Sequence, residues 1–263
     1  MKVMINFLKF LPLRKQYNNA ITGELSKVTS SAKNKHRPIS ALPPALKNYL
    51  EHCGYSDADA YEYCFVKWKS AHLKMAPGKG WTRISCDQVN FIDHPARVVY
   101  MKAKLWGLFS FDAIDKFQNG KGRLIVKLLK YFTITNAKGP KMDAAELVTI
   151  LAEAMLIPAY FFQPYITWTE INTFTVKGTI KYENIEASGI FYFNDHYELL
   201  RFETNDRYYT HNKKLEHYKW TAYAWNYKTG GNYKYASNFM ATWNLPTGEY
   251  TYFKGRLDKL IYS

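Results

Sequence analysis

Glu153 sits between Ala152 and Ala154 in an otherwise apolar run. A carboxyl turned inward there either finds a cation or is driven toward its protonated form, the state that does general acid or base work. Turned outward, it is an ordinary solvated charge. Arg201 and Arg207 stand with Glu203 in a strand-like stretch; they offer a cross-strand ion pair or a clamp for an anionic headgroup. Other spacings carry less chemistry. Gly78-Lys79-Gly80 and Gly120-Lys121-Gly122 lack the GxxxxGK(S/T) spacing of a phosphate loop and read as hairpin turns. No GxSxG occurs, and His94 and the group His211, Glu216 and His217 read as solvated polar residues. Cys53, Cys64 and Cys86 have neither zinc-site spacing nor a disulfide framework's density. The sequence thus points to no metal, no cofactor and a reducing, cytoplasmic setting.

The element that must position Glu153 is the one long helical pattern in the chain. Gly139-Pro140 precedes it, and Asp143 and Glu146 have capping-box spacing, which predicts a helix from about 143 to 157 that Pro158 stops. Leu147, Leu151, Ala154 and Met155 share one face, and Ile150 and Leu156 widen the apolar surface beyond a narrow stripe. Such a helix must be covered. The stretch after it, from Ala159 to Trp168, is so aromatic that it either packs on the same core or lines a cavity. Leu151, Met155, Tyr160, Phe161, Phe162, Tyr165 and Trp168, with Arg201 for a headgroup, are the candidate ligand-binding residues.

Around this helix the periodicity is two. Strand patterns run over 65–75, 81–92, 96–106, 108–117 and 122–133, then over 165–172, 174–182, 187–193, 197–209, 215–227, 233–245 and 249–262. Asn119-Gly120 is a strong hairpin signal, since both residues tolerate positive φ. About a dozen strands with short turns cannot be a doubly wound α/β sheet, which needs a crossover for each parallel strand. The expectation is a mainly β (α+β) fold: a strongly curved antiparallel sheet forming an open or half barrel, with the central helix inserted on its concave side. A short helix at about 44–53 precedes the strands, with Gly54 as its left-handed cap.

The charge is uneven. The net is +14, and residues 1–50 carry nine basic residues and one acidic. Met4, Ile5, Leu8 and Leu11 share a face in a run too short to span a bilayer, with Lys2, Lys9, Arg14 and Lys15 beside them. Residues 1–15 therefore suit contact with an anionic membrane surface, and 18–37 read as a linker. The organisation expected is a basic arm and linker over 1–37 and a single β-rich domain over 38–263.

Several motifs in order, the run Gly120 to Leu129, Gly139-Pro-Lys-Met-Asp143, Leu151-Ala-Glu153, Tyr165-Ile-Thr-Trp168 and Trp243 to Gly248, resemble an uncharacterised bacterial family known by a domain-of-unknown-function label. The resemblance covers roughly 42–262 and implies no catalytic residues. The order of strands, helices and more strands is also similar to the LolA-like lipoprotein carriers, which implies a half barrel holding acyl chains under helices.

Three functions follow in order. The first is a non-enzymatic binding module for a lipid or other hydrophobic ligand between sheet and helix. The second is an enzyme on the same scaffold with Glu153 as acid or base. Nucleic-acid binding through basic and aromatic strands comes last and is disfavoured, because the charge excess sits in the arm.

Overall fold

The computed structural model describes residues 12–28, 36–56, 61–105, 109–211 and 214–263. Fifteen strands are found among them: β1 Tyr63–Leu73, β2 Thr82–Phe91, β3 Ala96–Leu105, β4 Phe109–Gln118, β5 Lys121–Leu128, β6 Phe132–Lys138, β7 Ile166–Asn172, β8 Thr175–Tyr182, β9 Ile185–Phe193, β10 Leu199–Thr204, β11 Tyr208–His211, β12 Lys214–His217, β13 Trp220–Gly230, β14 Tyr233–Leu245 and β15 Gly248–Tyr262. Thirteen form one antiparallel sheet in the order β6-β5-β4-β3-β2-β1-β15-β14-β13-β10-β9-β8-β7. The two edges, β6 and β7, never pair. The curved sheet stays open, and the chain that joins its edges fills the gap, so the expected half barrel with an inserted helix is what forms.

Among the described residues three α-helices accompany the sheet: α1 Leu13–Val28, α2 Pro44–His52 and α3 Pro140–Ala152. Helix α3 packs on β4, β5 and β6 at one end of the sheet and on β8 and β9 at the other. It is shorter than the sequence pattern suggests. A 3-10 turn at Glu153–Met155 and another at Pro158–Phe162 take over, because Pro158 cannot continue the helix. Nor does the capping box form. The helix starts at Pro140 behind Gly139, and no side chain caps it. Asp143 instead accepts the Gly122 N–H at 2.8 Å, and Glu146 turns away to a buried arginine.

Helix α2 and its Gly54 cap, at φ +80°, follow the pattern, and Asn119 and Gly120, both at positive φ, turn β4 into β5 as an Asn-Gly hairpin does. Three other readings fail. The 122–133 strand is two strands, since Leu129 and Lys130 both adopt positive φ without a glycine to announce the turn. Likewise 197–209 and 215–227 break, and β11 and β12 leave the main sheet as a separate two-stranded hairpin. Residues 18–28 are helix, not linker. Leu13, Tyr17, Ala20 and Val28 of α1 bury against Val89, Phe91, Val98, Tyr100, Ile114 and Ile125 on the convex face of the sheet. The Asn- and Ser-rich composition hides this, because most of the apolar contact is supplied by the sheet. The apolar segment before residue 12, read as an interfacial helix, lies outside the described residues.

A polar clasp holds α1. Glu24 is buried, and its carboxylate accepts hydrogen bonds from Lys27 at 2.7 Å, His94 at 2.8 Å and Gln118 at 2.9 Å. His94 is thus a half-buried bridge and not a solvated residue; Asp93 holds its other nitrogen at 2.6 Å. Burial opposes both charges, but the bonds from His94 and Lys27 outweigh it and bring Glu24 down to about 2, while those to Asp93 and Glu24 lift His94 to about 9. The carboxylate contribution is lost as pH falls from 4.5 toward 2, and the imidazolium contribution is lost as pH rises from 6.5 through 9. Amide exchange in α1, corrected for intrinsic rates, should reveal an opening equilibrium roughly 10- to 100-fold larger at pH 10 than at pH 6. An unchanged equilibrium would show that the clasp does not hold the helix.

Candidate functional site

Register brings four polar side chains together on the concave face. Along β2, Ile84, Cys86, Gln88 and Asn90 alternate inward; Asn90 stands opposite Arg97 of β3, while Val99 stands opposite both Gln88 and Asp115 of β4. The helix supplies the rest. Glu146, Thr149 and Glu153 recur at helical spacing on one side of α3 and its terminal turn, while Leu147, Ile150, Leu151 and Ala154 bury on the other. Helix α3 therefore has two working faces, one sealed in the core and one turned to a cleft.

At the floor of that cleft Arg97, with 7% of its side chain exposed, meets three carboxylates: Glu146 at 2.6 Å, Asp115 at 3.0 Å and Glu153 at 3.2 Å. Gln88 donates to Glu153 Oε1 at 3.0 Å, and Asn90 donates to Oε2. Both oxygens of Glu153 are engaged. The surplus of carboxylates falls on Glu146, whose carboxyl is pushed up to about 8 by burial first and by Asp115 second. Burial works against the Arg97 charge, but the carboxylates, Glu153 foremost, hold its guanidinium firmly protonated.

Above this floor the cleft holds about 1130 Å³ between the concave sheet, α3 and the β11–β12 hairpin. Its walls are mostly apolar. Trp68, Met101, Met155, Phe239, Trp243 and Phe253 are among the lining residues. Arg207 enters from the approach to β11, its guanidinium 4.5 Å from the Trp220 ring centre and 5.8 Å from that of Trp243. Among the described residues, the Nε atoms of Arg97 and Arg207 are buried donors without a hydrogen-bond partner.

The sequence candidates distribute unevenly around this cleft. Met155 and Glu153 line it. Leu151, Tyr160, Phe161 and Phe162 are buried in the core behind α3, where the Phe161 ring lies 5.2 Å from Trp168 and 5.6 Å from Phe191. Tyr160 donates to the Phe91 carbonyl, Tyr165 to that of Ile92 and Trp168 to that of Phe161, so the aromatic stretch is pinned into packing. Arg201 is on the convex face; its guanidinium stacks 3.9 Å from the Tyr192 ring centre and pairs with Glu203 at 3.0 Å. Pattern reading offers Arg207 as a headgroup clamp and Glu146 only as a helix cap, and it misses Arg97, Asp115 and Gln88. Its one available signal was polar residues at inward positions of β2 to β4, and α1 blurs it by burying the other face of those strands as well.

The model of a family of unknown function (DUF6544) matches residues 33–255. The chain belongs to that family. The matched region begins after α1 and ends within β15, so in this DUF6544 chain it takes in most of the sheet, α3 and all the floor residues. Among solved structures, the crystal structure of a LolA superfamily protein from Nitrosomonas europaea is similar, with a TM-score of 0.36 and 9% identity, covering 82% of this chain and 92% of that one. No curated protein matches.

Proposed function

We propose that this chain is a binding module that holds an elongated, mainly apolar ligand in the cleft between the concave sheet and α3. The observation that carries the reading is the cleft itself: about 1130 Å³ of space with mostly apolar walls beside the buried core. That exceeds the roughly 300–1,000 Å³ of ordinary small-molecule pockets and suits a ligand with one or more hydrocarbon chains. The unpartnered Nε donors of Arg97 and Arg207 favour a ligand that also carries an acceptor oxygen, such as a carboxylate, ester or phosphate. Glu153, with both oxygens committed to Arg97, Gln88 and Asn90, serves this reading as a strut of the floor. The three cysteines are free, which fits a reducing compartment.

Trp68, Trp220 and Trp243 at the walls provide the readout. Titration with the uncharged apolar fluorophore N-phenyl-1-naphthylamine should transfer tryptophan emission to the probe with saturable, micromolar binding, and long-chain fatty acids or phospholipids should displace it. A linear, non-saturating response would oppose the proposal.

A further inference from the structure

The β5–β6 hairpin carries an apolar tip that no other described residue covers. Within six residues Leu129 is 37% exposed, Tyr131 82%, Phe132 64% and Ile134 56%. Isolated exposed apolar residues are ordinary; a contiguous group at one turn marks an interaction surface. The antiparallel meander sets the β5–β6 turn on the same rim of the sheet as the β1–β2 loop, where Met75, at 41% exposure, lines the cleft. The apolar tip and a wall of the ligand cleft therefore share one rim.

The charge of this wing names the partner. Residues 101–141 contain nine basic residues and two acidic ones, a net of +7, while the whole chain has +14. Both acids are spent internally: Asp112 accepts from the Tyr100 hydroxyl at 2.9 Å, and Asp115 pairs with Arg97. Outside, only cations are presented. On the convex side of the same strands, a second hollow of about 740 Å³ is lined by Lys116, Arg123, Lys127 and Lys138, with Lys27 and its ion-pair partner Glu24 from α1. Lys127 is only 6% exposed and stands opposite Asp112 across the β4–β5 pair without a close ion pair among the described residues; burial first and Arg123 second depress the Lys116 pKa, against a smaller opposing pull from Glu24. Cations crowded in this way are stabilised by anionic oxygens brought from outside. A nucleic acid would satisfy the lysines but gains nothing from leucine and isoleucine at the tip. An anionic bilayer satisfies both, with apolar side chains entering the acyl boundary and cations meeting headgroup phosphates.

We propose that the β5–β6 hairpin, through Leu129, Tyr131, Phe132 and Ile134 and the basic strands behind them, docks this protein on an anionic lipid surface. It does so with a wall of the cleft at the membrane side. The surface is distinct from the N-terminal arm, and its docking does not require that the cleft hold a ligand.

The test is flotation of the full-length chain with large unilamellar vesicles of phosphatidylcholine alone or with 30% phosphatidylglycerol, with oligomeric state measured by analytical ultracentrifugation. Binding is expected only to the anionic vesicles. Combining Tyr131→Ser, Phe132→Ser and Ile134→Ser should weaken it at least ~10-fold with an unchanged melting temperature, and Lys130→Gln with Lys104→Gln should weaken it by a similar factor, about fivefold per lysine. Wild-type binding that the serine variant retains in full would overturn the proposal. So would a dimer that the serine variant dissociates, which would assign the tip and the unpaired β6 edge to a second copy. Salt-sensitive binding to duplex DNA that the serine variant keeps, without vesicle binding, would assign the wing to nucleic acid instead.

Discussion

Arg97→Leu is expected to lower the stability of this chain by about 3–5 kcal/mol at pH 7, because it strips three carboxylates of their common cation in a buried site. The coordination by Glu146, Asp115 and Glu153 within 3.2 Å makes the loss far larger than for an exposed pair. The deficit should be pH-dependent in a defined direction. Protonation relieves the mutual repulsion, so the variant should recover stability relative to wild type as pH falls toward 5. The wild type has a smaller trend of the same sign. Glu146 titrates at about 8 when folded and near 4.5 when unfolded, so the folded state binds the extra proton across that window and stability declines as pH rises through it. Glu146→Gln should flatten that decline. Urea denaturation of the three proteins at pH 5, 6, 7 and 8 measures all of this. Equal stabilities at pH 7 would show that the floor is not electrostatically assembled.

Ala222→Trp is expected to weaken binding of the naphthylamine probe and of lipids on the order of 50- to 100-fold. Ala222 is partly exposed and lines the cleft from β13, opposite Phe202 of β10. An indole there occupies space the ligand needs, and losing roughly 100 Å² of apolar contact at about 25 cal/mol/Å² accounts for a factor of that size. Arg201→Gln makes a matched control. Its side chain lies on the convex face with Tyr192 and Glu203, so affinity should stay within twofold of wild type, about 0.4 kcal/mol. If both variants bind equally well, the ligand is not in the cleft.

Much of the architecture was legible because it rests on local chemistry. Alternation and the Asn119-Gly120 turn revealed the meander, and the apolar spacing of Leu147, Leu151 and Ala154 revealed a helix needing cover. What escaped is what only tertiary context decides. Leu129 and Lys130 turn the chain in a left-handed conformation that their side chains disfavour, held because β6 must pair with β5. Helix α1 is polar in composition and stays helical because the convex face of β2 to β5 supplies its partners.

The candidate site was half legible for the same reason. Glu153 stood out by its apolar neighbours, and it does reach the cleft. Arg97 did not stand out, since an arginine next to Val98 and Val99 in a strand gives no hint of which face it takes. Only the register of β2, β3 and β4 gathers Asn90, Arg97 and Asp115. Nor does an aromatic run reveal whether it lines a cavity or fills a core. Tyr160, Phe161 and Phe162 fill one because the 3-10 turn after Pro158 directs them behind α3, away from the cleft face of Thr149 and Glu153.

Native mass spectrometry of the full-length protein, purified without detergent and compared with Ala222→Trp, tests the central claim most directly. A reproducible mass increment of lipid size on the wild type, reduced or absent on the variant and recovered as an amphipathic lipid on organic extraction, is the predicted result. A wild type that carries no increment and acquires none on incubation with phospholipid or fatty acid would contradict it.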